Sequence, residues 1–113
     1  MMDWLVVKMI PIKYNCQINY TTFNDYCKKY LIGKIYKILP LQEENKDWNT
    51  YLHNLNCELV GANEIFLNNY PFLSLVNKLE GLHSVTKYEE FRSIILDCIQ
   101  MAKNLPEKIG ESL

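Results

Sequence analysis

The sequence has very little arginine, few histidines and no recognisable catalytic motif. Of its 12 basic residues only Arg92 is an arginine, and the two histidines are His53 and His83. Bidentate guanidinium contacts to phosphate or carboxylate are therefore almost excluded, and few side chains can transfer protons near neutral pH. GxSxG, GxGxxG and HExxH patterns and a phosphate-binding glycine loop are also absent. We therefore expect a non-catalytic protein without a cofactor.

Long apolar runs and paired cysteine motifs are missing as well. The longest apolar runs, such as residues 4–7 and 94–96, are far shorter than the roughly 20 residues that span a bilayer. The opening MMDWLVVKMIPIKYN has an acid before its apolar run and no small-residue cleavage site, which makes it a poor signal peptide. Four cysteines without CxxC spacing are typical of buried free thiols in a reducing compartment: Cys16, Cys27, Cys57 and Cys98. These features predict a cytoplasmic protein that does not act at a membrane.

The composition is that of an ordinary globular protein. The 113 residues are 49% hydrophobic and 22% charged, which predicts one globular domain over residues 1–113, and the spacing of its apolar residues makes it helical. A net charge of -1 gives no overall attraction to nucleic acid or anionic lipid. Lysine, asparagine and isoleucine are abundant, which is typical of an AT-rich genome such as that of a low-GC bacterium or its phage.

Apolar residues recur at steps of three and four over residues 21–108. This spacing predicts an antiparallel bundle of about four helices. The clearest helix is 86–108, with Phe91 and Ile95 in its apolar stripe. Thr86 and Glu89 have capping-box spacing at its start, and Pro106 is expected to stop it, leaving 109–113 as a tail.

The other helix boundaries are expected at capping and helix-breaking residues. The first helix should begin at Thr21 or Thr22, Pro40 should end it and open the second, and the second should close at Gly61 or run on to Phe66 or Leu67. Pro71 should lie in the first turn of a short third helix, which Gly81 should cap.

Residues 1–20 differ from the rest of the chain. They are rich in β-branched residues without helical spacing, which predicts an extended arm or one short edge strand. A four-helix core has no obvious place for the large apolar side chains of this arm, and such side chains are favoured at protein interfaces. We predict that the arm contacts another protein chain or a second copy, through Trp4, Val6, Met9, Ile10 and Tyr14. The function expected is that of a small subunit, adaptor or inhibitor in a bacterial or phage assembly.

An alternative function rests on the segment YCKKYLIGKIYK, residues 26–37, which carries four lysines, three tyrosines and no acid. Lysines could contact phosphates while a tyrosine stacks on a base. This alternative is a nucleic-acid-binding accessory module that uses Lys28, Lys29, Tyr30, Lys34 and Lys37. The same pattern is also typical of a solvated helix surface, where lysine stems cover apolar neighbours.

His53 and Cys57 have a spacing that can place two metal ligands on one helix face. No second paired motif supplies the remaining ligands. We therefore expect no bound metal, with Cys57 at the edge of the core and His53 in solvent. Glu43, Glu44 and Asp47 form an acidic cluster whose expected role is to complement the positive end of a helix dipole.

Overall fold

The computed structural model describes residues 9–67 and 70–111, and it is mostly helical with a small two-stranded antiparallel sheet. The predicted mainly helical class is therefore confirmed. In chain order the elements are β1 (Met9–Ile12), β2 (Cys16–Asn19), α1 (Tyr20–Asp25), a π-helical segment (Tyr26–Leu31), α2 (Ile32–Tyr36), α3 (Ile38–Glu43), α4 (Trp48–Ile65), α5 (Tyr70–Glu80), a 3₁₀ turn (Gly81–Ser84) and α6 (Tyr88–Glu111).

Within the described part of the predicted arm, residues 9–19 form a hairpin rather than an extended arm or a single strand. Strand β1 pairs with β2 in antiparallel register, with Ile10 opposite Ile18. The connecting turn places Tyr14 and Asn15 at positive φ, 65° and 58°. The second strand was missed because its four residues, CQIN, are at the lower limit of length at which alternation of apolar and polar residues indicates a strand.

A π-helical segment keeps the first helical region in register with the core. The buried residues of this helical region, from α1 to α2, are spaced by four: Phe23, Cys27, Leu31 and Ile35. In an α-helix each step of four rotates a side chain by about 40°. Here the Ile32 amide donates to the Cys27 carbonyl five residues back, and this wider turn holds all four residues on one face. The first helix is capped by Asn19, whose side chain accepts from the amides of Thr21 and Thr22, so the prediction of a threonine cap is wrong.

The chain between the first two long helical regions is interrupted, contrary to the prediction. Pro40 lies inside the short helix α3, and α4 begins only at Trp48. Between them Asn45 adopts a φ of 55°. Asp47 is the N-cap of α4, because its carboxylate accepts from the Thr50 amide at 3.0 Å. The helix then continues through Gly61 to Ile65.

The last two helices correct three further boundaries. Pro71 lies in the first turn of α5 as expected, but Gly81 has no left-handed conformation and starts the 3₁₀ turn. The amide of Phe91 donates to the carbonyl of Lys87, which makes Lys87 the N-cap of α6 and shifts it one residue from the predicted box at Thr86.

Helix α6 also continues through Pro106 to Glu111, so the predicted stop is wrong. Proline removes one amide donor, but Leu105 and Ile109 are both buried on either side of it. Their burial holds this last part of the helix on the core.

The core lies mainly among the helices, and Ile10 of the hairpin adds to it. Phe91 and Ile95 are both in it, as predicted. Phe66 links two aromatic neighbours, with ring centroids 4.7 Å from Phe23 and 5.3 Å from Phe72. The remaining buried hydrophobic residues are Ile10, Cys27, Leu31, Ile35, Ile38, Leu39, Leu52, Leu55, Leu59, Leu75, Leu79, Leu82, Cys98, Ala102, Leu105 and Ile109.

Candidate protein-binding surface

Exposed apolar side chains flank, in sequence, the point where the hairpin turn meets the end of α4. The Lys13 amide donates to the Ile65 carbonyl at 2.9 Å, which joins the two elements. Tyr14, Ile65 and Leu67 lie within two residues of this bond in sequence and are exposed. Tyr70, at the start of α5, is exposed as well. We call this group the hairpin-end surface: Tyr14 (90% exposed), Ile65 (46%), Leu67 (52%) and Tyr70 (76%).

Two residues of the hairpin-end surface have an unfavourable backbone conformation. Tyr14 and Leu67 have φ values of 65° and 61°, in the left-handed region that costs an L-residue about 1–2 kcal/mol. Asn15 and Asn45 share this conformation, but asparagine tolerates it well. A bulky side chain that is strained and also exposed contributes little to its own fold. Such outliers concentrate at functional sites.

The side chains predicted to form the interface of the N-terminal arm differ in their exposure. Tyr14 is exposed at the tip of the hairpin, and Met9 is 36% exposed. Ile10 is 1% exposed because the chain's own core covers it, which corrects its assignment to a partner-binding surface. Trp4 and Val6 lie outside the described residues. The sequence pattern did not identify Leu67 or Tyr70, since exposure depends on where the helices end.

The basic segment, residues 26–37, contacts a carboxylate from another helix, which the sequence of the segment did not reveal. Glu58 of α4 accepts hydrogen bonds from the Tyr26 hydroxyl at 2.6 Å and the Tyr30 hydroxyl at 3.4 Å. Its carboxylate also lies 3.5 Å from Lys34 Nζ, and Lys34 Nζ stands 5.0 Å from the centre of the Tyr30 ring. Tyr30 and Lys34 are therefore already occupied by contacts within the chain.

These contacts favour the protonated forms of Tyr26 and Lys34. Burial, followed by the hydrogen bond to Glu58, raises the pKa of Tyr26. The hydrogen bond with Tyr30, supported by Glu58, raises the pKa of Lys34. The cluster thus consists of a neutral tyrosine, a carboxylate and an ammonium group, and its local charge is balanced. Two neighbouring tyrosine rings stack with centroids 5.2 Å apart, Tyr26 and Tyr30.

The other lysines of the segment remain more accessible. Lys28 is exposed, and Lys29 is exposed with an ion pair to Asp25 at 3.7 Å. Lys37 Nζ stands 5.8 Å from the centre of the Tyr51 ring. Among residues 9–67 and 70–111, Lys28 has no ion pair or cation–π contact of this kind, and the five predicted side chains do not form one uncompensated basic surface.

The thiols divide into a buried pair and an exposed pair. Cys27 and Cys98 are buried, and burial raises the pKa of each thiol to about 12. Cys16 and Cys57 are exposed, so the expectation of four buried thiols is wrong. Cys57 Sγ lies 3.6 Å from His53 Nε2, and both side chains face solvent. Within residues 9–67 and 70–111 no group of three or more His, Cys, Asp or Glu residues is arranged to hold a metal ion.

Comparisons with family models, curated proteins and solved structures found no match to this chain. Its function must therefore be inferred from its own residues. Among the helices of the described part, none combines the length and apolar character needed to cross a bilayer.

Proposed function

We propose that this protein is a non-catalytic helical module that binds another protein chain through the hairpin-end surface. The observation that carries the proposal is the pairing of backbone strain with exposure at Tyr14 and Leu67. Apolar and aromatic side chains that remain in solvent are those that interfaces favour. A second copy of the chain is one possible occupant, and a different protein of a bacterial or phage assembly is the other.

The proposal also covers how the helices pack and where in the cell the protein is found. Helices α4, α5 and α6 form an antiparallel bundle, and the hairpin lies across the end where α4 finishes. Lys78 of α5 and Asp97 of α6, whose charged atoms are 3.7 Å apart, support the packing of these neighbours. We place the protein in the cytoplasm because its two exposed thiols are not paired in a disulfide.

The test compares variants of the hairpin-end surface with matched variants elsewhere. Tyr14→Ser and Leu67→Ser should each weaken binding, whether self-association measured by sedimentation in chelator-containing buffer or retention of an identified partner. Tyr36→Ser and Leu96→Ser are the controls, since each replaces the same residue type at another exposed position, where the side chains are 56% and 41% exposed. Tyr36 is the last residue of α2. This helix lies against the first turns of α4, where the Tyr51 hydroxyl donates to the Lys34 carbonyl, whereas the hairpin-end surface lies at the other end of α4. The control variants should bind normally.

Two results would contradict the proposal. One is that the protein is strictly monomeric and that no protein it retains requires Tyr14 or Leu67 for binding. The other is an equal loss of binding in all four variants, because it would show a general effect of removing apolar surface rather than a specific site.

The nucleic-acid alternative has weaker support. Glu58 lies among the residues that would have to contact phosphate and base, and a carboxylate at such a position repels phosphate. If the alternative were correct, four lysines on a single strand would give a salt slope of about -3, and Lys34→Glu with Lys37→Glu would abolish binding. We expect no retention on single- or double-stranded nucleic acid even at low salt.

A further inference from the structure

His53 and Cys57 lie at the separation that a tetrahedral zinc ion imposes on its ligands. Zinc binds sulfur at about 2.3 Å and imidazole nitrogen at about 2.0–2.1 Å, and at a tetrahedral angle these bonds place the two ligand atoms about 3.6 Å apart. The distance between Cys57 Sγ and His53 Nε2 is 3.6 Å. The two side chains therefore need little rearrangement to bind one ion.

One chain supplies only half of such a site. A structural zinc takes four ligands, and no cluster of three suitable side chains exists in residues 9–67 and 70–111. Both ligands are exposed on α4, so a second molecule can reach them. In a two-fold dimer each chain contributes the same residues, and two copies of a His-Cys pair complete a Cys₂His₂ set.

The surroundings favour a cation at this position. His53 and Cys57 line an open cavity of about 330 Å³ between α4 and α5, together with Asn56, Val60, Val76 and Glu80. Glu80 brings a carboxylate into the cavity, where Asn56 Nδ2 donates to it at 2.6 Å.

We propose that two copies of this chain share one Zn²⁺ ion through His53 Nε2 and Cys57 Sγ of each copy. Each thiol releases its proton to solvent as its sulfur binds zinc, so two protons leave for each ion bound. The two thiolates neutralise the ion's charge. Val60, 41% exposed and one turn beyond Cys57, becomes covered in the dimer and adds apolar contact to the metal bonds.

Metal-free protein in a non-thiol reductant is titrated with Zn²⁺ while its mass is followed by sedimentation. The expected result is saturation at half a zinc per chain, with the mass rising to twice 13.4 kDa. Chelator should reverse the change. Co²⁺ provides a second readout, since tetrahedral coordination with thiolate ligands gives visible absorption and sulfur-to-metal charge-transfer bands.

Variants identify the ligands. Cys57→Ser and His53→Ala should each lose at least tenfold in zinc affinity and remain monomeric, and circular dichroism verifies that they stay folded. Cys16→Ser is the matched control, because Cys16 is the other exposed thiol, and it should behave as the parent.

Three outcomes would overturn the proposal: no zinc binding, zinc binding that survives Cys57→Ser, or a complex of one zinc per chain that stays monomeric. Because the hairpin-end surface is tested in chelator, failure of this site leaves the proposed function untouched.

Discussion

Replacing Tyr14 with glycine should make the protein more stable while weakening its proposed interaction. Tyr14 has a φ of 65°, and the left-handed conformation costs an L-residue about 1–2 kcal/mol. Glycine removes this cost but gains unfolded-state freedom worth about 0.4–1 kcal/mol. The side chain is 90% exposed, so its removal loses only roughly a few tenths of a kcal/mol of hydrophobic burial free energy. The net expectation is a stabilisation of roughly 0.5 kcal/mol.

Urea denaturation measures this change as a rise of a few tenths of a molar in the midpoint, roughly, with an unchanged slope. Asn15→Gly is the matched control within the same turn. Asn15 has a φ of 58°, and asparagine already tolerates that region, so its replacement should stabilise less. The binding assay then completes the test, since Tyr14→Gly should bind its partner more weakly than the parent does.

Destabilisation by Tyr14→Gly would show that the tyrosine supports the hairpin and is not strained. A stabilised variant with full binding would show that the strain has no connection with a partner. Either result would remove the reasoning that links the conformation of Tyr14 to function.

Three further predictions concern the fold. Ile10→Ala should cost about 2–5 kcal/mol in denaturant melts because it leaves a cavity in the core, whereas a negligible loss would return Ile10 to the candidate interface. Asn19→Ala should cost about 1 kcal/mol through loss of the helix cap, while Thr22→Ala should change stability little; the reverse order would restore the threonine cap. The raised pKa values of Cys27 and Cys98, about 12 in the folded state against 9.0 for a free thiol, predict a stability that is fully present below pH 9 and falls as pH rises towards 12. Replacing both thiols with alanine should reduce that slope in unfolding measurements across this range, and an unchanged slope would contradict the assignment.

The sequence predicted the elements whose apolar spacing is regular. The stripe of α6 through Phe91 and Ile95 is buried as expected, because burial at steps of three and four is a local property of a helix. Boundaries were less predictable. Pro106 was expected to stop α6, but burial of Ile109 after it outweighs one lost hydrogen bond. Propensity describes isolated segments, whereas tertiary packing determined this end.

The candidate sites were predicted less well, since they depend on contacts between distant residues. The basic segment was correctly seen to contain no acid, but Glu58 reaches it from another helix. The four-residue spacing of His53 and Cys57 did predict their proximity. Whether they face solvent depends on which side of α4 the core covers, and the sequence pattern misjudged this for Cys57. The strain at Tyr14 and Leu67 has no sequence pattern of its own.

The π-helical segment Tyr26–Leu31 has a consequence for how this chain can change in length. Removing one exposed residue there, such as Lys28, would turn the buried spacing of four, four and four into four, three and four, which is the rhythm of an ordinary α-helix. Elsewhere in a helix a one-residue deletion rotates everything that follows by about 100°. At this segment the wider turn can absorb the deletion. Homologous chains one residue shorter at this position are therefore expected to keep the same core.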